Sequence, residues 1–142
     1  RYPLYKTPAG KKDYTRAEID NGALKNQGLE LLYLKNPADR FFLQVQGSGV
    51  VALQEGGVAR VRYAGHNDHA YVAIGKYLKE QGLLIGEITM QTIRQWLNTQ
   101  PESVALKVMQ QNPRYIYFEE SRTNATGAAG VELTPERSLA VD

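Results

Sequence analysis

The spacing of the apolar residues changes twice along this chain, and this change constrains the fold more than any other feature. Between residues 29 and 64 apolar positions form short runs or alternate with polar ones, which is typical of strands. Between residues 70 and 110 they recur every three or four residues, which is typical of amphipathic helices. Strand spacing returns at residues 115–119. This order predicts an α+β fold with an antiparallel sheet or small barrel.

The strands are predicted at residues 2–6, 29–35, 41–46, 50–54, 58–64 and 115–119. Within 41–46, Phe41, Leu43 and Val45 alternate with Phe42, Gln44 and Gln46, which predicts two distinct faces. Glycines at 47 and 49 indicate a bend or bulge after this strand. The run Glu55-Gly56-Gly57 predicts a hairpin turn, and alternation in the following strand turns Arg60 and Arg62 outward.

Local signals also mark the helices. Thr15 and Glu18 have the spacing of a capping box, which predicts a short helix that ends near residue 21. A helix from about residue 70 is followed by Gly82, a second begins at Thr89, and Pro101 suits the first turn of a third. We therefore expect residues 1–142 to form a single domain that is mainly β and barrel-like, with about three helices between its strands.

Composition excludes several classes of protein. Hydrophobic residues make up 42% and charged residues 23% of the chain, which is typical of a globular domain and not of disorder. The formal net charge is +2 with interleaved signs, so the chain lacks the basic concentration of a nucleic-acid binder. There are no cysteines, which excludes disulfides and thiolate chemistry. The first residue is Arg1, not Met, and we expect the chain to begin within a longer protein.

Motifs that could carry chemistry are few. His66, Asp68 and His69 offer donors for a first-row metal, but no second His or Cys cluster completes a ligand set, and Asn67 or Asp68 could instead cap the following helix. We expect no metal and no cofactor. Glu119 and Glu120 are adjacent on a strand, so they point to opposite faces and make a poor catalytic pair.

The glycine pair around Ser48 lacks the Lys-Ser/Thr ending of a phosphate loop and the pattern of a nucleophile elbow. One explanation is that these glycines only allow the chain to bend. The other is that they let a ligand approach the backbone closely, with Gln44 and Gln46 supplying polar side chains.

Several blocks, in chain order, resemble the membrane-bound lytic murein transglycosylase A family, and in particular its inserted domain. The blocks lie at residues 42–49, 63–71, 74–76, 89–96 and 112–118. The resemblance implies a periplasmic enzyme, anchored to the outer membrane as a lipoprotein, that acts on peptidoglycan. Such enzymes cleave the β-1,4 bond between N-acetylmuramic acid and N-acetylglucosamine without water and leave a 1,6-anhydromuramoyl end.

The resemblance further implies a double-psi barrel outside this chain that carries the single catalytic Asp, so no catalytic residue is expected here. The insert would form one wall of a groove that holds the glycan strand, and its partners would be that strand and the catalytic barrel. The expected binding residues are Gln46, Gly47, Ser48, Gly49, Tyr63, Asn67 and Tyr71.

Three alternatives remain open from the sequence. These seven residues could serve only to shape the fold. The chain could instead be an interaction domain that docks the enzyme to cell-wall synthesis proteins. A third possibility is an independent enzyme that uses Asp68 and His69.

Overall fold

A computed structural model of the chain describes residues 2–10 and 13–123. The elements in these residues follow the order β1 (Tyr2–Tyr5), α1 (Arg16–Asp20), β2 (Glu30–Leu34), α2 (Pro37–Gln46), β3 (Ser48–Ala52), β4 (Val58–His66), α3 (Ile74–Glu80), α4 (Met90–Thr99), α5 (Glu102–Met109) and β5 (Ile116–Thr123).

The α+β class is confirmed, but two details of the prediction are not. Helices occupy more of the described residues than strands do, so the fold is not mainly β. The described strands form one two-stranded and one three-stranded sheet, and these residues contain no closed barrel. No helix within the described ranges is long and apolar enough to cross a membrane.

The described elements fall into two compact units. The first unit contains all five strands and helix α2. The second unit contains α1 and the three helices α3, α4 and α5.

The first unit is organised by antiparallel pairing. β1 pairs with β2, and β4 lies between β3 and β5. The turn from β3 to β4 is closed by hydrogen bonds between Leu53 and Gly57 (N···O 3.1 Å) and between Gly56 and Leu53 (3.0 Å), which confirms the predicted hairpin. β4 pairs with β5 along most of its length, with an irregularity between Tyr63 and Gly65.

Residues 41–46 belong to helix α2, so the strand predicted there is wrong. Asn36 caps the helix by accepting a hydrogen bond from the Ala38 N–H (2.7 Å), and Pro37 occupies the first turn, where its missing N–H costs nothing. Gly47 ends the helix with φ 83° and donates its N–H to the Leu43 carbonyl (2.8 Å). It is a helix cap and not the predicted bend within a strand.

Helix α2 looked like a strand because it is buried on more than one side. Its residues 38–44 are all buried, so no exposed stripe reveals a helical period. The surrounding core of the first unit includes Leu4, Leu32, Leu34, Val51, Ala59, Val61, Tyr117 and Phe118. The first part of strand β5 is also buried on both faces, because the neighbouring residues 116, 117 and 118 are all buried.

In the second unit, most predictions made from short-range sequence signals are confirmed. Thr15 and Glu18 form the capping box of α1, and Thr89 caps α4 together with Thr92. After α3, Gly82 adopts φ 68°, and the N–H of Leu83 bonds to the carbonyl of Leu78 (2.9 Å), as in a Schellman motif.

The apolar residues of α4 differ in burial. Leu97 is buried, whereas Met90 at the start of the helix is 41% exposed. The core of this unit also contains Ile19, Leu24, Ile74, Leu78, Ala105, Val108, Met109 and Tyr115.

Candidate functional site

A polar cleft lies on the three-stranded sheet of the first unit, and we refer to it as the sheet cleft. Its volume is about 430 Å³, which is within the range of small-ligand sites. It is lined by Ser48, Gly49, Arg60, Val61, Arg62, Glu119, Glu120 and Ser121.

Strand register explains why these residues meet. Ser48 lies opposite Arg62, which in turn lies opposite Glu119, so one row crosses all three strands. Directly paired residues of antiparallel strands point to the same face. The next row of that face brings Arg60 opposite Ser121. Charged and hydroxyl side chains from three separate parts of the chain therefore share one side of the sheet.

Arg62 and Glu119 form an ion pair on this face of the sheet. The Nε of Arg62 donates to Oε2 of Glu119 at 2.6 Å, although 76% and 54% of the two side chains are exposed. A pair this exposed contributes little to stability because solvent screens it. Its effect is to hold the guanidinium over the cleft.

Glu120, which also lines the cleft, pairs with a different arginine. Its Oε2 accepts from the Nε of Arg122 at 2.5 Å, which places Glu119 and Glu120 in separate ion pairs as alternation predicted. This hydrogen bond raises the pKa of Arg122. Arg122 also donates to the carbonyl of Leu31 (3.0 Å), so it ties β5 to the start of β2, and its guanidinium stays charged at any ordinary pH.

Four of the seven predicted binding residues surround the start of β3. Ser48 is exposed in the sheet cleft, and Gln46 and Gly47 immediately precede it at the end of α2. Gly49 also lines the cleft, but it is buried, and a Cβ there would lie 2.5 Å from Cδ1 of Leu43. The two glycines are thus explained by a helix cap and by close packing, without a ligand. Gln44, expected to face a ligand, is only 3% exposed.

Tyr63 does not enter the sheet cleft. It follows Arg62 on β4, so alternation turns it to the other face, where 46% of it is exposed. Its ring stacks on that of His66, with centroids 6.2 Å apart and planes inclined by 17°. The strand register shifts between Tyr63 and Gly65, and the residue opposite Tyr63, Phe118, is buried.

Asn67 belongs to the second unit and is fully buried. Its Nδ2 donates to the carbonyls of Tyr14 (2.7 Å) and Pro113 (2.8 Å). Its Oδ1 accepts from the N–H groups of Tyr115 (2.9 Å) and His69 (3.4 Å). An amide side chain has two donor hydrogens and two acceptor lone pairs, and all four are used internally. This geometry gives the prediction of direct ligand contact by Asn67 no support.

Two buried residues that sequence reasoning missed complete this polar cluster. Arg16 donates from Nε to the carbonyl of Asn112 (2.8 Å) and lies over the ring of Tyr115, 5.0 Å from its centroid. The Oδ1 of Asn112 accepts from the N–H of Val72 (3.0 Å). The adjoining Tyr71 is 56% exposed and is the remaining predicted binding residue with an accessible ring.

The donors considered for a metal do not converge. No group of three or more His, Cys, Asp or Glu residues that could hold an ion occurs in the described ranges. His69 is within 2.6 Å of the Asp13 carbonyl through Nε2. Helix α3 begins at Ile74 with Ala73 as its cap residue, so the expected capping of this helix by Asn67 or Asp68 is also wrong. Asp68 instead adopts φ 67°, a conformation that Asp tolerates.

A family model described as the MltA specific insert domain matches residues 5–119. The chain belongs to this family. It is 40% identical to a membrane-bound lytic murein transglycosylase A from Vibrio cholerae and 36% identical to one from Escherichia coli, and each alignment covers 100% of this chain and 40% of the relative. The chain therefore spans about two fifths of the curated relatives it matches.

Solved structures of the family have the same fold. Escherichia coli MltA with bound chitohexaose superposes with a TM-score of 0.81 and 35% identity, over 86% of this chain and 37% of that one. A lytic transglycosylase from Burkholderia pseudomallei, LtgG, gives 0.75 and 40% identity, over 87% and 38% of the two chains. The similarity to the MltA insert predicted from sequence is confirmed.

Proposed function

We propose that this chain is the glycan-binding insert of a peptidoglycan lytic transglycosylase. The parent enzyme would cleave the β-1,4 bond between N-acetylmuramic acid and N-acetylglucosamine without water and leave 1,6-anhydromuramoyl ends. The observation that carries the proposal is the sheet cleft in an MltA insert fold, together with the oligosaccharide bound by the Escherichia coli relative.

The insert would contribute binding and orientation. Ser48 offers a hydroxyl at the start of an edge strand, and Gln46 offers an exposed amide two residues earlier in the chain. Such groups suit sugar hydroxyl and acetamido groups, because each can donate and accept hydrogen bonds. The exposed rings of Tyr63 and Tyr71 offer apolar faces on which sugar rings can stack.

The proposed chemistry lies outside this chain. A general acid/base Asp on the barrel of the parent enzyme would act on the glycosidic oxygen, while the insert holds the strand in place. We accordingly propose that the chain alone has no turnover. The parent protein would work in the periplasm, attached to the outer membrane as a lipoprotein.

The test is a titration of the 142-residue chain with a glycan oligomer that carries no peptide, observed through backbone amide shifts. We expect saturable shifts at residues 46–49 and in the amides of Arg62 and Glu119. The amides of Tyr33 and Lys35, at the end of β2, serve as internal controls and should not move. Shifts confined to the control region, or an absence of shifts at any concentration, would count against the proposal.

A docking role toward cell-wall synthesis proteins is the alternative function. The loop between α3 and α4 exposes apolar side chains, with 88% of Ile85 and 45% of Leu83 accessible. Neighbouring exposed apolar side chains such as these can form a contact with another protein. Partner capture that survives complete removal of glycan, and is lost in an Ile85→Ser variant, would favour this role.

A further inference from the structure

Residues 68–73 lie between β4 and α3 without regular secondary structure, and we refer to them as the Tyr71 loop. Ala70, Tyr71, Val72 and Ala73 are all exposed, so their side chains add little to the core of the second unit. An exposed irregular segment with few buried apolar contacts is ordinarily mobile. Packing of these side chains therefore contributes little to holding the loop in place.

Hydrogen bonds from the segment after α5 hold the Tyr71 loop instead. Oδ1 of Asn112 accepts from the N–H of Val72 (3.0 Å) and from the N–H of Arg114 (3.3 Å). Nη1 of Arg114 donates to the carbonyl of His69 (3.3 Å). The backbone is thus bonded on both sides of Tyr71. Asn112 is only 2% exposed, so little water competes for its side-chain oxygen.

Asn112 is itself fixed by two helices. Its N–H donates to the carbonyl of Met109, the last residue of α5 (3.1 Å). Its carbonyl accepts from Nε of Arg16 in α1 (2.8 Å), and that arginine is also buried. A side chain held in this way by regular elements is a rigid support for a residue that it contacts. Asn112 therefore fixes the Val72 N–H relative to α1 and α5.

The ring of Tyr71 directly precedes this fixed N–H and is 56% exposed. A tyrosine ring offers a large contact area with few rotatable bonds. A loop that is ordered before the ligand arrives does not lose conformational freedom on binding, whereas a mobile loop does. The hydrogen bonds of Asn112 thus lower the entropy cost of any contact that the Tyr71 ring makes.

We propose that Asn112 is a positioning residue, which holds the backbone beside Tyr71 so that the exposed ring is in place to stack on the apolar face of a sugar ring. This inference rests on the proposed function, because the glycan strand supplies the sugar. Asn112 is buried and touches no ligand, so it acts only through Tyr71. Its contribution to affinity therefore disappears when the ring is removed.

The test is a double-mutant cycle on the 142-residue chain, with a peptide-free muramic acid–glucosamine tetrasaccharide as the ligand and calorimetry as the measurement. We expect Asn112→Ala to weaken binding by about threefold, because the ligand must then order the loop. In a Tyr71→Ala background, Asn112→Ala should have no further effect. A purely structural role, such as fixing the start of α3, would weaken binding equally in both backgrounds.

Two variants separate positioning from stability. Asn112→Asp keeps a side-chain oxygen that can accept from the Val72 N–H, so it should retain most of the affinity that Asn112→Ala loses. Thr89→Ala removes the cap of α4 in the same unit, so it should lower stability but leave the affinity unchanged. A loss of affinity in Thr89→Ala as large as that in Asn112→Ala would overturn the inference.

A second measurement needs no variant and so does not depend on whether Asn112→Ala folds. In the wild-type chain without ligand, the amides of Tyr71 and Val72 should have NMR order parameters of about 0.85, as in rigid backbone. Values below about 0.6 would show that the loop is mobile before binding and would overturn the inference.

The two proposals fail in different ways. If the wild-type chain binds the tetrasaccharide but Asn112→Ala or Tyr71→Ala loses no affinity, the positioning inference is overturned and glycan binding stands. Equal losses from Asn112→Ala in the two backgrounds have the same meaning. If the wild-type chain does not bind the tetrasaccharide, both proposals are overturned.

Discussion

The side chain of Leu43 fills the space that any side chain at Gly49 would need. A Cβ built on Gly49 would lie 2.5 Å from Cδ1 of Leu43, well inside van der Waals contact. Leu43 is fully buried on α2, so it has little freedom to move away. This contact fixes the distance between helix α2 and strand β3, and β3 forms one edge of the sheet cleft.

We therefore expect Gly49→Ala to lower the free energy of unfolding by about 1–3 kcal/mol through overpacking. Ser48→Ala, the neighbouring change at an exposed position, should alter it by less than about 0.5 kcal/mol. Urea denaturation of the three proteins measures both effects. In a double-mutant cycle, Leu43→Ala should cancel most of the cost of Gly49→Ala, and additive costs would contradict the contact.

Asn67 is expected to matter for stability and not for direct ligand contact. Asn67→Ala removes its hydrogen bonds to the Tyr14 carbonyl and the buried Tyr115 N–H, whereas the Pro113 carbonyl keeps that from the Arg16 N–H, and the loss should cost about 3 kcal/mol. Gln95→Ala, an exposed amide on α4, should change stability by less than about 0.5 kcal/mol. Thermal unfolding provides the comparison. A stable Asn67→Ala protein that has lost glycan binding would restore the role first predicted from sequence.

The cap of α4 gives a prediction at a half-buried helix end. Thr89 accepts from the N–H of Thr92 at 3.1 Å, and Thr89→Ala should cost about 1 kcal/mol. Gln91→Ala, two residues later and exposed, serves as control. Amide hydrogen exchange in α4 should accelerate in Thr89→Ala and remain unchanged in Gln91→Ala. Equal exchange in the two variants would argue that the cap contributes nothing.

The exposed tyrosines can be compared with one another. Tyr63→Ala and Tyr71→Ala should each weaken binding of peptide-free glycan, by roughly threefold to tenfold, if their rings stack on sugars. Tyr33→Ala removes an equally exposed ring (59% accessible) at the end of the other sheet and should have no effect. Calorimetry on the full chain measures all three. A loss caused by Tyr33→Ala of the same size would show that the effect is not specific to the predicted surface.

Predictions from local interactions were mostly right. Thr15 with Glu18, Thr89, Gly82 and the turn at Gly56 all act where the sequence placed them, because each involves partners within a few residues. The signals for α2 were also local: Asn36 before Pro37, and Gly47 ten residues later. The alternation at residues 41–46 outweighed them because a short apolar run does not by itself distinguish helix from strand.

The candidate site was predicted only in part. Ser48 and Gly49 do line the sheet cleft, and Arg60 and Arg62 do point outward, but their meeting with Glu119 depends on strand register. That register joins residues more than fifty positions apart, and no local pattern specifies it. The burial of Asn67 could not be predicted from the sequence for the same reason, because its hydrogen-bond partners include Tyr14 and residues 113–115.

The sequence by itself determined the α+β class, most caps and turns, and the family, because these follow from short-range chemistry and from residue identity along the chain. Only the tertiary structure decided that α2 is a helix, that Gly49 is a packing glycine, and that Arg62 faces a cleft. Each of those outcomes depends on contacts with residues that are distant in the sequence. Packing and strand register together determine those contacts.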